Sequence, residues 1–158
     1  MPTEEQIKIY TPNGTKKLIA LRGLPASGKS TVALSAVKAF PGVIARVNND
    51  DLSTSLFGKT FISELKNSAG LFRNIRFKII TELLKEKQIE IIIIDNTNLT
   101  AGSIKDLEKI ALDNNLEFII DDSFLSVSTE ECIERDSLRT SPVGKDVIIS
   151  MSKHFKNV

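Results

Sequence analysis

The sequence has few of the residues that stabilise secreted proteins or hold metal clusters. Its single cysteine, Cys132, cannot form an internal disulfide, and its only histidine, His154, has no other His or Cys placed to share a metal ion. No apolar run approaches the length of a membrane span, and no N-terminal segment has the pattern of a signal peptide. We therefore expect a cytoplasmic protein with no membrane partner.

The sequence also has almost no net charge. The 21 Lys and Arg residues against 20 Asp and Glu leave a formal charge of +1 over 158 residues, so no global field attracts the chain to nucleic acid. Any basic surface must be local. The length suits one domain with a sizeable core, and no repeat or low-complexity tract divides it. We predict a single domain over residues 1–158.

Strand-like apolar runs alternate with helical patterns along the chain. The predicted strands are residues 18–21, 43–47, 89–94 and 117–124. Helical periodicity or helix-start residues follow at 30–40, 71–87, 100–114, 128–139 and 145–154, with mixed helix and loop at 52–66. This alternation predicts an α/β fold, a mostly parallel sheet with helices on both faces. Residues 1–16 are expected to form an N-terminal extension or, through the alternating residues 7–10, an extra edge strand.

Residues 23–30, GLPASGKS, match the phosphate-binding motif G-x-x-x-x-G-K-[ST]. The motif follows an apolar run and opens an amphipathic helix, the setting in which backbone N–H groups converge on a polyphosphate. Lys29 is expected to reach the β- and γ-phosphates, and the Ser30 hydroxyl to ligate Mg²⁺. The predicted residues for binding a nucleoside triphosphate are Gly23, Pro25, Ala26, Ser27, Gly28, Lys29, Ser30 and Thr31.

Polar clusters follow the second and third strands, at residues 48–51 and 95–98. In parallel sheets, ligands bind beyond the carboxyl ends of the strands, so these clusters and the phosphate loop should meet at one site. Asp95 follows four isoleucines and is expected to hold Mg²⁺ together with Ser30. The alternative is a loop aspartate that caps nearby backbone N–H groups.

Asp50 and Asp51 supply a candidate for proton transfer. One carboxylate should face the γ-phosphate and accept a proton from an attacking hydroxyl, while the other caps the next helix. Ordinary helix-start chemistry explains the pair equally well. The sequence alone therefore leaves both interpretations open.

Two arginines lie four residues apart near the C-terminal end of a predicted helix. Arg139 runs into a Pro- and Gly-containing segment, 139–146, and could fold over the phosphates as part of a lid. Arg135 would share its helix face, although an exposed pair with Glu131 explains it as well. Both arginines are predicted contacts to the triphosphate.

A local basic patch lies on the predicted helix over residues 71–87. Arg73, Arg76 and Lys78 could follow a nucleic-acid backbone, although a solvated helix face is the favoured interpretation. Phe72 and Phe77 are more readily explained as core or groove-wall residues than as stacking platforms.

At these residues the chain resembles the kinase module of phage polynucleotide 5′-hydroxyl kinases. The likeness is carried by residues 23–31, by Asn-Asn-Asp-Asp at 48–51, by Asp-Asn-Thr-Asn-Leu at 95–99 and by the arginines before the lid. It implies a three-layer P-loop kinase fold with a C-terminal lid, ATP and Mg²⁺ as cofactors, and DNA or RNA 5′-OH ends as partners. It places the protein in nucleic-acid repair, in the host cytoplasm if it is phage-encoded.

The resemblance also implies roles for individual residues. Asp50 matches the general base, Lys29 and Ser30 match the γ-phosphate and Mg²⁺ contacts, and Arg139 matches the lid arginine. Thr97 and Asn98 lie in the stretch that contacts the acceptor. The family's arginines beside the acidic pair are replaced by Asn49 and Ser53, so Arg73 or Arg76 is the candidate for the acceptor's phosphate.

The sequence thus predicts an ATP-dependent kinase for the 5′-hydroxyl of DNA or RNA ends. The alternative is a P-loop kinase for a small acceptor such as a nucleoside, a nucleotide or a sugar, which the replaced arginines favour. An ATP-binding switch without phosphoryl transfer is the third hypothesis, and the intact set of polar residues disfavours it. The oligomeric state is left open, a homo-oligomer included.

Overall fold

Four parallel strands form the sheet at the centre of the protein. The computed structural model describes residues 3–155, and its strands are Lys17–Leu21 (β1), Ile44–Val47 (β2), Ile91–Ile94 (β3) and Glu117–Asp121 (β4). Their order is β2-β3-β1-β4, and every pairing within the described residues is parallel. The predicted α/β class is confirmed, and the isoleucine strand is interior to the sheet.

Helices connect the strands and cover the sheet. They are Glu4–Ile9 (α1), Lys29–Ala39 (α2), Asn49–Phe57 (α3), Ser68–Leu84 (α4), Ala101–Asp113 (α5), Thr129–Ser137 (α6) and Lys145–Phe155 (α7), with a short 3-10 helix at Ser123–Ser126. Thr100 and Ser128 cap α5 and α6, each accepting a hydrogen bond from a backbone N–H three residues on. No helix in residues 3–155 is long and apolar enough to cross a membrane.

The two faces of the sheet bury different side chains of the same strands. Ile19 and Leu21 pack on the face covered by α2, while Leu18 and Ala20 pack on the face covered by α4 and α5. This alternation explains why β1 is apolar throughout, since both of its faces are covered. The three-layer arrangement is therefore confirmed.

A smaller apolar cluster joins the C-terminal helices to the phosphate loop. Leu24 of the loop, Cys132 of α6 and Ile148 of α7 are each at most 5% exposed and pack together. The burial raises the pKa of the Cys132 thiol. The arginines at the end of α6 are consequently held close to the phosphate loop.

Of the two alternatives predicted for the N-terminal segment, an extension or an edge strand, the edge strand is wrong. Residues 7–10 do not form an edge strand, because α1 extends through Ile9 and Tyr10 is its C-cap. Thr3 and Gln6 form a reciprocal capping box, which outweighs four residues of alternating polarity. The buried Tyr10 hydroxyl donates to Asp121 Oδ2 at 2.5 Å, and burial, with this carboxylate, raises the pKa of Tyr10. This bond fixes the end of α1 to the end of β4.

Candidate active site

The carboxyl ends of β1, β2 and β3 border a cleft of about 570 Å³. Its walls include residues of the loop 25–31, residues 48–50 and 95–97, and the lid arginines Arg135 and Arg139. The structure thus brings together residues that are far apart in the sequence. The predicted site residues that are not part of these walls are Gly23, Ser27, Asn98, Arg73 and Arg76.

The phosphate loop requires glycine at two positions for different reasons. A Cβ on Gly23 would lie 2.6 Å from Ser27 Oγ and 2.7 Å from Phe124 Cβ, so no side chain fits there. Gly28 has φ of 100°, a left-handed conformation that disfavours other residues. The resulting turn points the first N–H groups of α2 into the cleft, where the helix dipole favours anions.

Lys29 begins α2 and folds back across the loop. Its Nζ donates to the carbonyl oxygens of Gly23 at 2.9 Å and Leu24 at 2.7 Å. Burial lowers the pKa of Lys29 to about 8, although the nearby Asp95 carboxylate acts in the opposite direction. A polyphosphate in the loop would favour the charged form of this lysine, so phosphate binding and protonation of Lys29 should be coupled.

Asp95 ends β3 and faces the phosphate loop from the neighbouring strand. It is 1% exposed, and its Oδ2 accepts hydrogen bonds from Ser30 Oγ at 2.8 Å and from Arg46 Nε at 2.7 Å. Its Oδ1 is buried and makes no hydrogen bond to the described part of the chain. The other interpretation of Asp95, as a cap for local backbone, therefore does not fit these contacts.

The pair formed by Ser30 and Asp95 suits a divalent cation. A cation there would satisfy the buried Asp95 Oδ1, and a hydroxyl with a carboxylate is the donor set that Mg²⁺ prefers. Within residues 3–155, no group of three His, Cys, Asp or Glu residues could hold a metal ion. Phosphate oxygens and water would therefore complete the coordination.

Arg46 is a site residue that the sequence analysis missed. Its guanidinium bonds to Asp95, forms an ion pair with Asp51 and approaches Ser30 Oγ at 3.4 Å. Burial by itself lowers the pKa of Arg46, but the bonds to the two carboxylates raise it overall. The available signal was a lone arginine in an otherwise apolar strand that ends at the acidic pair.

The acidic pair divides its roles differently from the prediction. Asp51 does not cap α3, because the cap is Asn48, whose Oδ1 accepts from Asp51 N at 2.9 Å. Asp51 instead binds Arg46 outside the cleft wall. Asp50 lies on the cleft wall, where desolvation raises its pKa while Arg139 opposes that shift. A carboxylate with a raised pKa is better suited to accept a proton.

The two predicted acceptor residues after β3 have different environments. Thr97 lines the cleft. Asn98 is 6% exposed, and its Nδ2 donates to the carbonyl oxygen of Leu21 at 2.7 Å. The Asn98 side chain therefore links the segment after β3 to the end of β1. It does not line the cleft.

The two predicted arginines of α4 also have different environments. Arg73 is exposed and pairs with Asp106 of α5 at 2.8 Å, as expected for a solvated helix face. Arg76 is partly buried, and its Nη1 donates to Asn49 Oδ1 at 3.1 Å. Burial lowers the pKa of Arg76. Only Arg76 thus reaches the residue adjacent to Asp50.

The lid is held by a carboxylate that the sequence analysis did not identify. Asp136 is 2% exposed and accepts hydrogen bonds from Val143 N at 3.1 Å and Gly144 N at 3.0 Å, as well as from Arg139. Arg135 pairs with Glu131 at 2.6 Å and also lines the cleft. The pair with Glu131 is therefore present, the contact of Arg135 with a triphosphate stays a prediction, and Asp136 positions Arg139.

The parallel sheet, the phosphate loop, the acid at the end of β3 and the lid arginines define a P-loop protein of the kinase class. A family model described as an AAA domain matches residues 18–157, and the chain belongs to this family.

Individual relatives agree with the polynucleotide kinase resemblance. The putative bifunctional polynucleotide kinase/RNA ligase of Autographa californica nuclear polyhedrosis virus is 27% identical over 155 residues, covering 91% of this chain and 21% of the viral protein. A chain of the Pnkp1/Rnl/Hen1 RNA repair complex superposes with a TM-score of 0.71 at 23% identity, over 93% of this chain and 46% of that chain. The chain therefore spans less than half the length of these two relatives.

The fold is also shared with kinases for small molecules. The Mycobacterium tuberculosis APS kinase superposes with a TM-score of 0.59 at 17% identity, over 78% of this chain and 70% of that enzyme. A gluconokinase from Sinorhizobium meliloti 1021 gives 0.55 at 16% identity, over 87% of this chain and 74% of that enzyme. These likenesses show the fold and leave the acceptor to be argued from the site.

Proposed function

We propose that this protein transfers the γ-phosphate of ATP to the 5′-hydroxyl of DNA or RNA ends. The observation that carries the proposal is the position of Asp50 on the wall of the same cleft as Lys29, Ser30 and Arg139. A base, a phosphate loop and a lid cation around one space are the groups that phosphoryl transfer to an alcohol requires. The relative described as a polynucleotide kinase/RNA ligase supports the nucleic-acid acceptor.

ATP would bind with its phosphates in the loop and its nucleoside on the other side of α2. A second cavity of about 670 Å³ lies between α1 and α2 and shares Gly28, Thr31 and Arg135 with the cleft. Apolar side chains such as Val32 and Phe124 border it, as suits a base. Ser30 and Asp95 would hold Mg²⁺, which when bound neutralises charge on the phosphates.

In the transfer step, the acceptor hydroxyl loses its proton to Asp50. Its oxygen forms a bond to the γ-phosphorus, and the bond from that phosphorus to the β–γ bridging oxygen breaks, so that ADP leaves. Lys29 and Arg139 neutralise charge on the transferring group. Positioning and electrostatics supply most of the catalysis, as in other phosphoryl transfers.

The acceptor's phosphate would be bound by Arg76. Ser53, one of the two residues that replace the family's arginines, is 1% exposed and donates to the carbonyl oxygen of Lys59 at 2.7 Å, so it cannot contact an acceptor. Asn49, the other, is bonded to Arg76. The guanidinium of Arg76 therefore lies next to Asn49, the residue before Asp50, and it belongs to α4 and not to α3.

A small acceptor is the second candidate, and the loss of both arginines favours it. The test offers a 5′-OH oligonucleotide, a nucleoside and a sugar together with labelled Mg·ATP. We expect label in the oligonucleotide, a KM for it that rises at least about tenfold in Arg76→Ala because a charged contact is lost, and little change in the control Lys78→Ala. Label only in the small acceptors would contradict the proposal.

A further inference from the structure

Three large apolar side chains are exposed at the end of α3 and just beyond it. Leu56 is 55% exposed, Phe57 41% and Phe61 72%. We call these three residues the α3 shelf. None of the three side chains lines the cleft. An exposed apolar patch of this kind marks an interaction site.

The α3 shelf is fixed to the rest of the protein. The ring of Phe57 meets the ring of Phe72 edge-on, with centroids 6.4 Å apart, and Phe72 is buried. Gly58 ends α3 with φ of 78°. The bond from Ser53 Oγ to the Lys59 carbonyl then holds the turn that leads to Phe61.

The helix that carries Asp50 also carries the shelf. Asp50 lies in the first turn of α3, and Phe57 is its last residue. At about 1.5 Å per residue, the helix separates them by about 10 Å. A stacked strand at about 3.4 Å per nucleotide covers that distance with about three nucleotides.

The surroundings of the shelf are positively charged. Residues 56–76 contain four cationic residues and a single acidic one, although the whole chain has a net charge of only +1. Arg76 has no carboxylate within ion-pair distance in residues 3–155, since its hydrogen bond goes to Asn49. Lys59 and Arg73 are paired, with Glu64 and Asp106 respectively, so Arg76 is the cation nearest Asp50 whose charge is left for a ligand. Apolar rings together with such a cation match the chemistry of a nucleic-acid strand, with bases for the rings and a phosphate for the cation.

We propose that the α3 shelf stacks the bases of a single-stranded 5′-OH end, beyond the terminal nucleotide whose hydroxyl reaches Asp50. The proposal rests on the proposed function and gives it a substrate class: a single-stranded polynucleotide a few nucleotides long or longer. Stacking on Phe57 and Phe61 is independent of sequence, because every base has an aromatic face.

The first test measures KM for a 3′-mononucleotide and for 5′-OH oligonucleotides of increasing length. KM should fall with length in the wild type. Phe61→Ala should raise KM for the longer oligonucleotides at least about fivefold and leave KM for the mononucleotide unchanged, while Phe61→Trp should behave as the wild type. Phe77→Ala is the matched control, because Phe77 is 53% exposed but lies about 140° around α4 from Phe72.

The second test observes binding directly. The sequence has no tryptophan, so Phe61→Trp introduces a single one, and its fluorescence should be quenched by an oligonucleotide and not by a mononucleotide. A KM that is independent of length, an unquenched tryptophan, an equal loss in Phe61→Ala and Phe61→Trp, or self-association that depends on Phe61 would each overturn the shelf proposal. Quenching without any phosphate transfer would instead refute the proposed kinase function and leave the shelf.

Discussion

Two adjacent carboxylates, Asp50 and Asp51, have different partners in the same helical turn. Asp51 forms an ion pair with Arg46, whereas Asp50 lies on the cleft wall near Arg139 and Lys29. The helical step of about 100° per residue turns the two side chains to different sides of α3. Asp50 is thus the member of the pair that is available to a reacting hydroxyl.

We expect the Asp50 carboxylate to lower the free energy of unfolding near neutral pH. Desolvation raises its folded pKa above that of the unfolded chain, so its stabilising contribution is present below the ordinary Asp pKa of about 3.9 and is lost as pH rises through the folded pKa. Asp50→Asn should therefore melt at the same or a slightly higher temperature than the wild type at pH 7, and any difference should vanish toward pH 3.

Thermal melts across pH check this, with Asp51→Asn as the matched control. That variant loses the ion pair with Arg46 and should not gain stability at pH 7. A clearly lower melting temperature for Asp50→Asn at pH 7 would show that Asp50 stabilises the fold.

Arg46 holds the buried carboxylate of Asp95. Removing one partner of such a pair costs about 3 kcal/mol, so Arg46→Ala should lower the melting temperature by roughly 6–12 °C. Mg²⁺ should stabilise this variant more than the wild type, because Asp95 and Asp51 then lack their cation.

The matched control is Arg73→Ala, which loses an exposed pair with Asp106 worth at most about 1 kcal/mol. The measurement is the melting temperature of the wild type, Arg46→Ala and Arg73→Ala, each with and without Mg²⁺. If Arg46→Ala melts at the same temperature as the wild type, Arg46 does not stabilise the site.

The positions of site residues were predictable where a local motif fixes the geometry. Lys29 and Ser30 follow from the loop pattern, and Asp95 follows from its position after a buried strand. Arg46, Asp136 and the contact of Arg76 with Asn49 depend on pairings between distant segments, which neither periodicity nor spacing encodes. Asn98 was placed wrongly because a polar residue in a rim segment can also turn inward to satisfy buried backbone.

Among the elements, the lid depends on one buried carboxylate. Asp136 accepts bonds from Val143 N and Gly144 N and holds Arg139. In Asp136→Asn, one acceptor oxygen is replaced by an NH₂ group that must face a backbone donor. We therefore expect the free energy of unfolding to fall by about 1–3 kcal/mol. Cleavage within residues 139–146 in limited proteolysis should become faster.

Asp146→Asn is the control, because Asp146 is exposed in the first turn of α7. The two variants should differ in proteolysis of the lid and in kcat, which in the proposed mechanism depends on Arg139. Equal resistance of both variants to proteolysis would mean that Asp136 does not hold the lid.

The strands and the long helices were predictable from periodicity, to within a few residues at their ends. β2 and β3 are bounded by turn residues and by changes from apolar to polar side chains. α1 was missed because the alternation of residues 7–10 was given more weight than the capping-box spacing of Thr3 and Gln6, a local helix-start signal. The contact of Tyr10 with Asp121 then fixes its end.

At the scale of the whole molecule, the parallel sheet places four segments around one cleft. The phosphate loop, the start of α3, the end of β3 and the lid come from separate parts of the chain and meet at the carboxyl ends of the strands. This topology places the phosphate loop and Asp50 at one cleft, where the proposed reaction needs a phosphate donor and a hydroxyl acceptor side by side. In the proposed reaction, Asp50 accepts the proton of the hydroxyl that attacks the donor.

The most direct measurement is transfer of labelled γ-phosphate from Mg·ATP to a 5′-OH oligonucleotide, by the wild type and by Asp50→Asn, alongside ATP binding to both. We expect transfer by the wild type, a loss of at least about 10²-fold in the variant, and ATP affinities within about twofold of each other. Near-normal transfer by Asp50→Asn would contradict the assignment of the base. Wild-type protein that binds ATP but labels no oligonucleotide would contradict the polynucleotide kinase function itself.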